Sequence, residues 1–294
     1  MDLGIGVVGA RLRNCSHAAG ALRRWTSRAA YQSDAWQRVA KFLHEWRNAT
    51  AELERRVPFV FLEFDCLLGT RECAQPLLFL ALDWAMEELA GTAQPPSTGG
   101  AIFGSAIGDL AARCGMEKSL DSERLRRIVD ALPPGGIVAH LGLLLGRPGG
   151  GMRLSLLLPA GAVRGYLGRV GVPGQRDAVA NLLERYAPLT DFYESSRRVQ
   201  LDLDVSPQSG GSVGLSLYPA ERRGWPFLLA LLAADGHCDA RKCQALLDWP
   251  GHQPHTPTAG KIERYLSHVK LAVTAGATVA AKAYLGMAYR QALQ

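Results

Sequence analysis

Residues 122–158 read SERLRRIVDALPPGGIVAHLGLLLGRPGGGMRLSLLL, and they begin the clearest copy of the unit from which the fold is predicted. Its first part, Ser122 to Leu132, carries apolar residues at helical spacing and stops at a Pro-Pro-Gly-Gly turn. Two strands follow, Val138 to Leu145 and Met152 to Leu158, and a glycine-rich loop joins them. A helix from Ala162 to Val170 then completes a unit of helix, strand, strand and helix.

The same unit recurs along the chain at a spacing of roughly 60 residues, which is typical of stacked or cyclically arranged supersecondary units. Residues 1–34 are predicted as an N-terminal extension or a packed helix, and residues 35–294 as one domain. The other predicted helices cover residues 35–55, 177–186, 225–234 and 241–248 and a last segment that ends at Gln294, and the other predicted strands cover residues 58–65, 76–82, 199–205, 212–218, 267–274 and 279–285.

The predicted hairpin strands alternate between aliphatic and polar residues, so each has one aliphatic face and one polar face. Helices should cover the aliphatic faces, which leaves the polar faces either in solvent, as in an open α+β sheet, or facing one another. Closure of about eight to ten antiparallel strands would remove the exposed edges and line a chamber. The polar residues favour this α/β barrel with helices outside, because they include few of the Thr and Glu/Lys ladders of a wet sheet. They are Glu63, Asp65, His140, Arg153, Gln200, Asp202, Asp204, Tyr218, His268, Lys270, Lys282 and Tyr284.

Three places resemble the ABBA prenyltransferases, whose fold is an antiparallel barrel of repeated α-β-β-α units with the active site inside. The strand FVFLEFD puts Glu63 where the cyanobactin peptide and indole branches of that family have an acid near the nucleophile. The hairpin HLGLLLGRPGGGMRLSL looks like the family hairpin that supplies a cation to the diphosphate, which implies that role for Arg153. The sequence Lys282-Ala283-Tyr284 is similar to the Lys-x-Tyr pairs around the diphosphate. The resemblance implies transfer of a short isoprenoid from an allylic diphosphate to an aromatic or peptide nucleophile.

That chemistry fits the residue types on the polar faces. Ionisation of an allylic diphosphate needs clustered positive charge and hydroxyl donors in a water-poor site, and the carbocation needs aromatic faces. Glu63 suits the base that accepts the proton of the nucleophile. The predicted diphosphate ligands are Arg153, Lys270, Lys282, Tyr284 and Tyr218. The predicted pocket for the carbocation and substrate consists of Phe59, Phe61, His140, Gln200 and His268.

The strand LDLDV adds two acids, Asp202 and Asp204, and the strand GSVGLSLY adds no Lys or Arg. The two acids suit a hard cation such as Mg²⁺, or they are solvated strand acids. No DDxxD motif is present, so the sequence does not indicate magnesium-dependent ionisation of the terpene-synthase type. The thin set of cations favours a competing function, in which the same fold binds a peptide or a small hydrophobic ligand without catalysis. A third hypothesis is that the protein is a scaffold subunit of a tailoring complex.

Composition limits the kinds of partner and the cellular compartment that the sequence predicts. The net charge of +6 permits an anionic partner, but we find no nucleic-acid-binding motif and no apolar run of about eighteen residues that would span a membrane. The six cysteines lack metal spacing and a secretory leader, which predicts reduced thiols and a cytoplasmic protein. His252 and His255 are predicted to lie in a loop. The sequence leaves the oligomeric state open.

Overall fold

A computed structural model describes residues 6–8, 33–47, 53, 56–64, 75–82, 100–147, 150–190, 198–205, 212–219, 221–255 and 260–290. In these ranges the chain forms seven α-helices and ten β-strands. The helices are α1 (Asp34–Arg47), α2 (Gly100–Arg113), α3 (Ser122–Asp130), α4 (Val163–Val170), α5 (Pro173–Tyr186), α6 (Trp225–Ala234) and α7 (Ala240–Asp248). The strands are β1 (Gly6–Val8), β2 (Phe59–Phe64), β3 (Pro76–Ala81), β4 (Ile137–Leu143), β5 (Met152–Pro159), β6 (Arg198–Asp204), β7 (Val213–Leu217), β8 (Gly251–His255), β9 (Gly260–Val273) and β10 (Val279–Arg290).

The strands form one sheet in the order β1-β10-β9-β7-β6-β5-β4-β3-β2, and β8 pairs with β9 off this path. All ladders are antiparallel except that of β1, which runs parallel to β10. The predicted mixed α/β fold with an antiparallel sheet is confirmed, but the predicted closed barrel is wrong at the level of backbone pairing. Within the described ranges β1 lies beside β2, yet its three residues form a ladder only with β10.

The aliphatic face of the sheet packs against the helices, as the alternation predicted. Leu156, Leu201, Leu215 and Leu271 are successive cross-strand partners on β5, β6, β7 and β9, and all four are fully buried. They belong to the same hydrophobic cluster as residues of all seven helices. Full burial of a leucine side chain contributes roughly 1.5 to 3 kcal/mol. The main core therefore lies between the sheet and the helices, and the polar face points the other way.

The C-terminal hairpin differs from the sequence prediction. The chain was expected to return to a helix after residue 285, but β10 continues to Arg290, and residues 291–294 lie outside the described ranges. Short apolar runs such as LGMAY fit helix and strand alike, so the partner strand decides between them. Residues 286–290 pair one by one with residues 261–265, which makes both strands of the hairpin longer than predicted.

Two further predictions about local structure need correction. His252 and His255 lie on strand β8, which pairs with β9, and not in a loop. Pro254 obscured this strand in the sequence, but proline is tolerated on an edge strand, where its missing N–H is not needed. In the N-terminal segment, Gly6–Val8 forms a strand and not part of a packed helix. No helix of the described residues has the length and apolar character needed to cross a membrane.

Helix α3 begins at an aspartate N-cap, and its removal gives a first testable prediction. The side chain of Asp121 accepts the backbone N–H of Arg124 at 2.9 Å. We expect Asp121→Ala to lower the free energy of unfolding by about 1 kcal/mol, because this N–H loses its partner within the helix. Urea denaturation measures the change. The control is Glu123→Ala, which removes an exposed acid from the same turn; equal effects of the two substitutions would contradict the capping role.

Candidate functional site

The polar face of the sheet is buried. Although β2 and β10 stand near opposite ends of the strand order, Lys282 of β10 donates to Glu63 of β2, with Nζ and Oε1 2.8 Å apart. The sheet therefore curves until its two ends meet through side chains. Asp202 is only 2% exposed and Lys270 only 7%. The prediction that polar strand faces oppose one another is thus correct for these residues, and the alternative of a solvated face is wrong.

A cavity of about 150 Å³ lies inside this curve. Phe61 and Phe79 on β2 and β3 form an apolar wall, and His268, Lys270 and Tyr284 on β9 and β10 form a polar and aromatic wall. We refer to this space as the chamber. Its lining consists of Phe61, Leu62, Glu63, Phe79, His140, Ser155, Gln200, Tyr218, Ser267, His268, Lys270 and Tyr284.

Two ion pairs lie on the polar face of the sheet, and Lys270 is the member of these pairs that lines the chamber. Arg153 on β5 and Asp204 on β6 are cross-strand partners, and Arg153 Nε donates to Asp204 Oδ1 at 2.6 Å. Lys270 forms an ion pair with Asp202, which also accepts a hydrogen bond of 2.5 Å from Ser155. Both pairs are largely shielded from water. Buried charges of this kind need such partners, because an unpaired one loses its hydration without compensation.

The Lys270–Asp202 pair spans strand β7, and a glycine makes room for it. Gly214 is the β7 residue in register with Asp202. A Cβ atom at this position would lie 3.1 Å from both Asp202 Cβ and Lys270 Cδ. The absence of a side chain thus lets the lysine reach across β7 to the aspartate. We infer that the glycine is needed here for space, since the two side chains would otherwise be pushed apart.

Lysines 270 and 282 are direct cross-strand partners on β9 and β10. Like charges in this arrangement destabilise a sheet unless other groups compensate them. Each lysine has its own carboxylate, Asp202 for Lys270 and Glu63 for Lys282. Both ammonium groups also lie over the ring of Tyr284, with Nζ 5.0 and 4.7 Å from the ring centroid, which is within the range of cation–π attraction.

Three aromatic rings stack along the polar wall. His268 lies between Tyr218 and Tyr284, with ring centroids 4.9 and 4.2 Å away. Hydrogen bonds fix the hydroxyl groups of both tyrosines: Tyr284 donates to Glu63 at 3.0 Å, and Tyr218 donates to Gln200 at 2.8 Å. The stack therefore brings two phenol groups and an imidazole to one side of the chamber in fixed orientations.

Burial sets the charge of several chamber groups. It lowers the pKa of His140 to about 4 and that of His268 to about 3, so both imidazoles are neutral near pH 7. Burial alone would raise the pKa of Asp202, but the charges of Lys270 and Arg153 hold it well below its usual range. Burial, with the Glu63 carboxylate, raises the pKa of Tyr284 and keeps its phenol protonated. The three ion pairs then sum to zero charge.

Most of the predicted site residues lie on this chamber. Eight of them line it. Arg153 and Lys282 do not line it, but Arg153 is paired with Asp204, and Lys282 is paired with Glu63 of the lining. The side chain of Phe59 and the whole of Asp65 lie outside the described residues. The eight lining residues are Phe61, Glu63, His140, Gln200, Tyr218, His268, Lys270 and Tyr284.

Sequence reasoning missed four lining residues, Leu62, Phe79, Ser155 and Ser267. Strand β3 reads PLLFLA and is buried throughout, so no alternation marks which face Phe79 occupies. Ser155 alternates with Leu154 and Leu156 on β5, and this parity is a signal that would have found it.

The interpretation of Asp202 and Asp204 as solvated strand acids is wrong, since both are buried. Their fit to Mg²⁺ is poor as well, because a metal would have to displace Lys270 from Asp202 and Arg153 from Asp204. Among the described residues no group of three or more His, Cys, Asp or Glu side chains is placed to hold a metal ion. We therefore derive no step that uses one.

Family models, curated proteins and solved structures were compared with this chain, and none of them matches it.

Proposed function

We propose that this chain is a prenyltransferase of the ABBA type, which moves a short isoprenoid from an allylic diphosphate to an aromatic or peptide nucleophile in the chamber. The observation that supports this most is the cross-strand pair Lys270 and Lys282, both over the ring of Tyr284. Two lysines side by side, one buried and one half-buried, are costly in a sheet, and an anionic ligand is a physical reason for such an arrangement. Arg153 adds a third cation close enough to influence both Asp202 and Tyr284.

The cations have donors for a diphosphate besides those that their carboxylates use. An ammonium group carries three N–H donors and a guanidinium five. In the ion pair with Asp202, the ammonium group of Lys270 points one of its N–H donors at the carboxylate. The described bond of Arg153 to Asp204 uses only its Nε donor. In the proposed complex the diphosphate oxygens accept hydrogen bonds from the remaining donors. Negative charge that develops on the leaving diphosphate is then stabilised by groups already in place.

Glu63 is placed to act as the base in the proposed reaction. It lines the chamber, and its Oε1 accepts hydrogen bonds from Lys282 and Tyr284. The bond between the allylic carbon and the diphosphate oxygen breaks with its electron pair on the diphosphate. The nucleophile then forms a bond to that carbon and loses a proton to the Glu63 carboxylate. The rings of Phe61, Tyr218 and Tyr284 face the chamber where the allylic cation would form, and cation–π attraction stabilises it.

The charge balance favours a second candidate function. Every described cation of the chamber has a carboxylate partner, so the chamber as a whole attracts an anion only weakly. Such a chamber suits an uncharged peptide or small hydrophobic ligand, which the same fold would bind without catalysis. In both cases we propose an ABBA-like arrangement, which the curved antiparallel sheet and the outer helices support.

We also propose a cytoplasmic location on the basis of cysteine usage. Cys114, Cys238 and Cys243 are free thiols, and the other three cysteines lie outside the described residues. Reduced thiols without disulfide partners are typical of proteins in a reducing compartment.

Calorimetric titration with dimethylallyl thiolodiphosphate, an unreactive analogue, separates the two candidates. We expect the parent protein to bind it, and Lys282→Met and Tyr284→Phe to weaken binding about tenfold or more. In the proposed complex the ammonium group of Lys282 and the hydroxyl group of Tyr284, which both donate to Glu63 in the free protein, turn to the diphosphate, and each such donor is worth roughly 1.5 kcal/mol. Arg164→Met removes an exposed cation paired with Asp177 and serves as the control, with unchanged affinity expected.

Thermal melts of the three variants establish that each is folded before titration. Tyr284→Phe keeps the ring and loses only the hydroxyl group, so it remains informative if Lys282→Met fails to fold. A folded parent protein that gives no heat with the thiolodiphosphate but binds dimethylallyl alcohol would overturn the transferase and support the ligand-binding candidate.

A further inference from the structure

The outer side of helix α6 is apolar. The helix reads WPFLLALLAA, and the side chains that it packs into the core are Trp225, Leu228, Leu229 and Leu232. Its exposed and half-buried positions lie on the opposite side, within an arc of about 160° at about 100° per residue. We call this arc the α6 face, and it consists of Pro226, Phe227, Ala230, Leu231, Ala233 and Ala234.

The α6 face differs from the solvent side of an ordinary surface helix. The exposed side of α3, for comparison, presents Glu123, Arg126, Arg127 and Asp130. A helix that is apolar all round is normally covered all round. Among the described residues, Phe227 is the one large hydrophobic side chain that is mainly exposed, at 66%. We therefore expect the α6 face to be buried against a second molecule.

The charges at the two ends of α6 oppose its own dipole. A helix is partly positive at its N-terminal end, where backbone N–H groups are free, and partly negative at its C-terminal end. The exposed Arg222 and Arg223 nevertheless precede the N-terminus, and the exposed Asp235 follows the C-terminus. Arg222 is paired with Glu263 and Asp235 with Arg185, whereas Arg223 has no partner among the described residues. Within one chain this arrangement gains nothing from the dipole.

An antiparallel pair of α6 helices from two copies gives these charges favourable neighbours. A twofold axis at Ala230, in the middle of the face, puts Arg223 of each copy near Asp235 of the other copy and near the C-terminal end of its helix. Opposite charges and opposite dipole ends then meet on both sides of the axis. A surface that is complementary to itself in this way forms a closed twofold dimer.

The sizes of the side chains fit the same arrangement. Ala230 is small, so two helices that cross there can approach closely. Phe227 is large and lies three residues before Ala230. The axis places it opposite Ala233 and Ala234 of the other copy, where little side chain is present. Each copy thus fills with its phenylalanine the space that the alanines of the other copy leave.

We propose that the protein forms a twofold dimer through the α6 face, with the two α6 helices antiparallel and Ala230 at the axis. The core side of α6 packs in the cluster between the sheet and the helices, and the chamber lies on the other face of the sheet. The dimer therefore leaves the chamber uncovered on its own side. The inference does not depend on the proposed function.

Sedimentation velocity at protein concentrations from about 1 to 100 μM tests the proposal, since this range covers micromolar dissociation constants. We expect the parent protein to sediment as a dimer. Phe227→Ser should weaken the dimer about thirtyfold or more, because a central aromatic side chain carries much of the energy of an interface. The residue is mainly exposed, so the monomer should keep its fold, and thermal melts verify this. Arg126→Ser, on the exposed side of α3, is the control with an unchanged dimer.

Two further variants test the antiparallel geometry. Ala230→Cys places a thiol at the axis, where the Cα atoms of two copies come within the roughly 7 Å that a disulfide needs. Oxidised glutathione should then link the copies: two thiols lose their hydrogens as the sulfur–sulfur bond forms, and two molecules of reduced glutathione result. Ala245→Cys, exposed on α7, should give no more linked dimer than the parent. Arg223→Asp should weaken the dimer about tenfold, because it puts an acid near Asp235 of the other copy.

Several outcomes would overturn the proposal. They are a parent protein that stays monomeric at the highest concentration, a dimer that Phe227→Ser leaves intact, and an Ala230→Cys variant that links no better than Ala245→Cys. A monomeric parent that cosediments with vesicles of phosphatidylcholine and phosphatidylglycerol would assign the α6 face to a lipid surface instead. Titration of Phe227→Ser with dimethylallyl thiolodiphosphate keeps the two proposals apart, since its affinity should equal that of the parent whether or not the dimer forms.

Discussion

Replacing Asp202 with asparagine is expected to lower the free energy of unfolding by about 3 to 5 kcal/mol, the range measured when one partner of a buried ion pair is removed. Asp202 is 2% exposed, and its partner Lys270 is 7% exposed. The substitution keeps the size of the side chain and an acceptor for Ser155, so it isolates the loss of charge. Lys270 would be left as a buried ammonium without its counter-ion. Urea denaturation at pH 7, analysed with a common slope, measures the change.

Two further variants identify the cause of this loss. Asp177→Asn removes an acid from an exposed ion pair with Arg164, and we expect a change below about 1 kcal/mol. Lys270→Met combined with Asp202→Asn removes both charges and should recover a large part of the loss, since an apolar replacement of a buried pair is often close to neutral. A double variant as unstable as Asp202→Asn alone would show that packing, and not the unpaired charge, explains the effect.

The predicted bounds of a helix or strand agree best with the structure where the sequence has both a clear hydrophobic periodicity and residues that mark the start and the end of the element. Helix α6 has the predicted bounds, Trp225 and Ala234, because a proline stands in its first turn and a glycine follows soon after its end. The end of β10 could not be predicted, because its apolar run fits two periods and only pairing with β9 selects the strand. The closed barrel was predicted from the number of strands and from the polar residues on their faces, but the alternation does not encode whether β1, which pairs with β10, also forms a ladder with β2.

The sequence predicted on which face of the sheet the site residues lie, but it did not predict which of their side chains form ion pairs. Alternation placed Asp202 and Lys270 on the polar face, and both are there. It could not indicate that they meet, because that contact depends on the order β6-β7-β9 and on the space left by Gly214. The resemblance brought Glu63, Lys282 and Tyr284 to one site, and these three side chains share hydrogen bonds. Their charge balance follows only from the three-dimensional contacts.

Burial of His140 and His268 makes the protein sensitive to acid. We expect its free energy of unfolding to fall steeply between pH 6.5 and pH 4. An unfolded histidine has a pKa of about 6.5, whereas burial lowers the pKa of His140 to about 4 and that of His268 to about 3. Below pH 6.5 the two histidines bind protons in the unfolded chain but stay neutral in the folded chain. Their contribution to the free energy of unfolding is therefore fully present above pH 6.5 and is lost as the pH falls. Each pKa unit corresponds to about 1.4 kcal/mol, which gives a loss of roughly 3 kcal/mol per histidine at the acid end.

Single substitutions assign this loss to the chamber. Urea denaturation at intervals from pH 7 to pH 4.5 should show a shallower pH dependence for His140→Gln and for His268→Gln than for the parent protein. His44→Gln removes an exposed histidine on α1 and should leave the dependence unchanged. The groups that act on the two imidazoles are Lys270, Asp202, Glu63 and Lys282, and the low pKa of Asp202 keeps that carboxylate ionised over this range. The imidazoles therefore dominate the slope, and parallel curves for the parent and both chamber variants would contradict their burial as neutral groups.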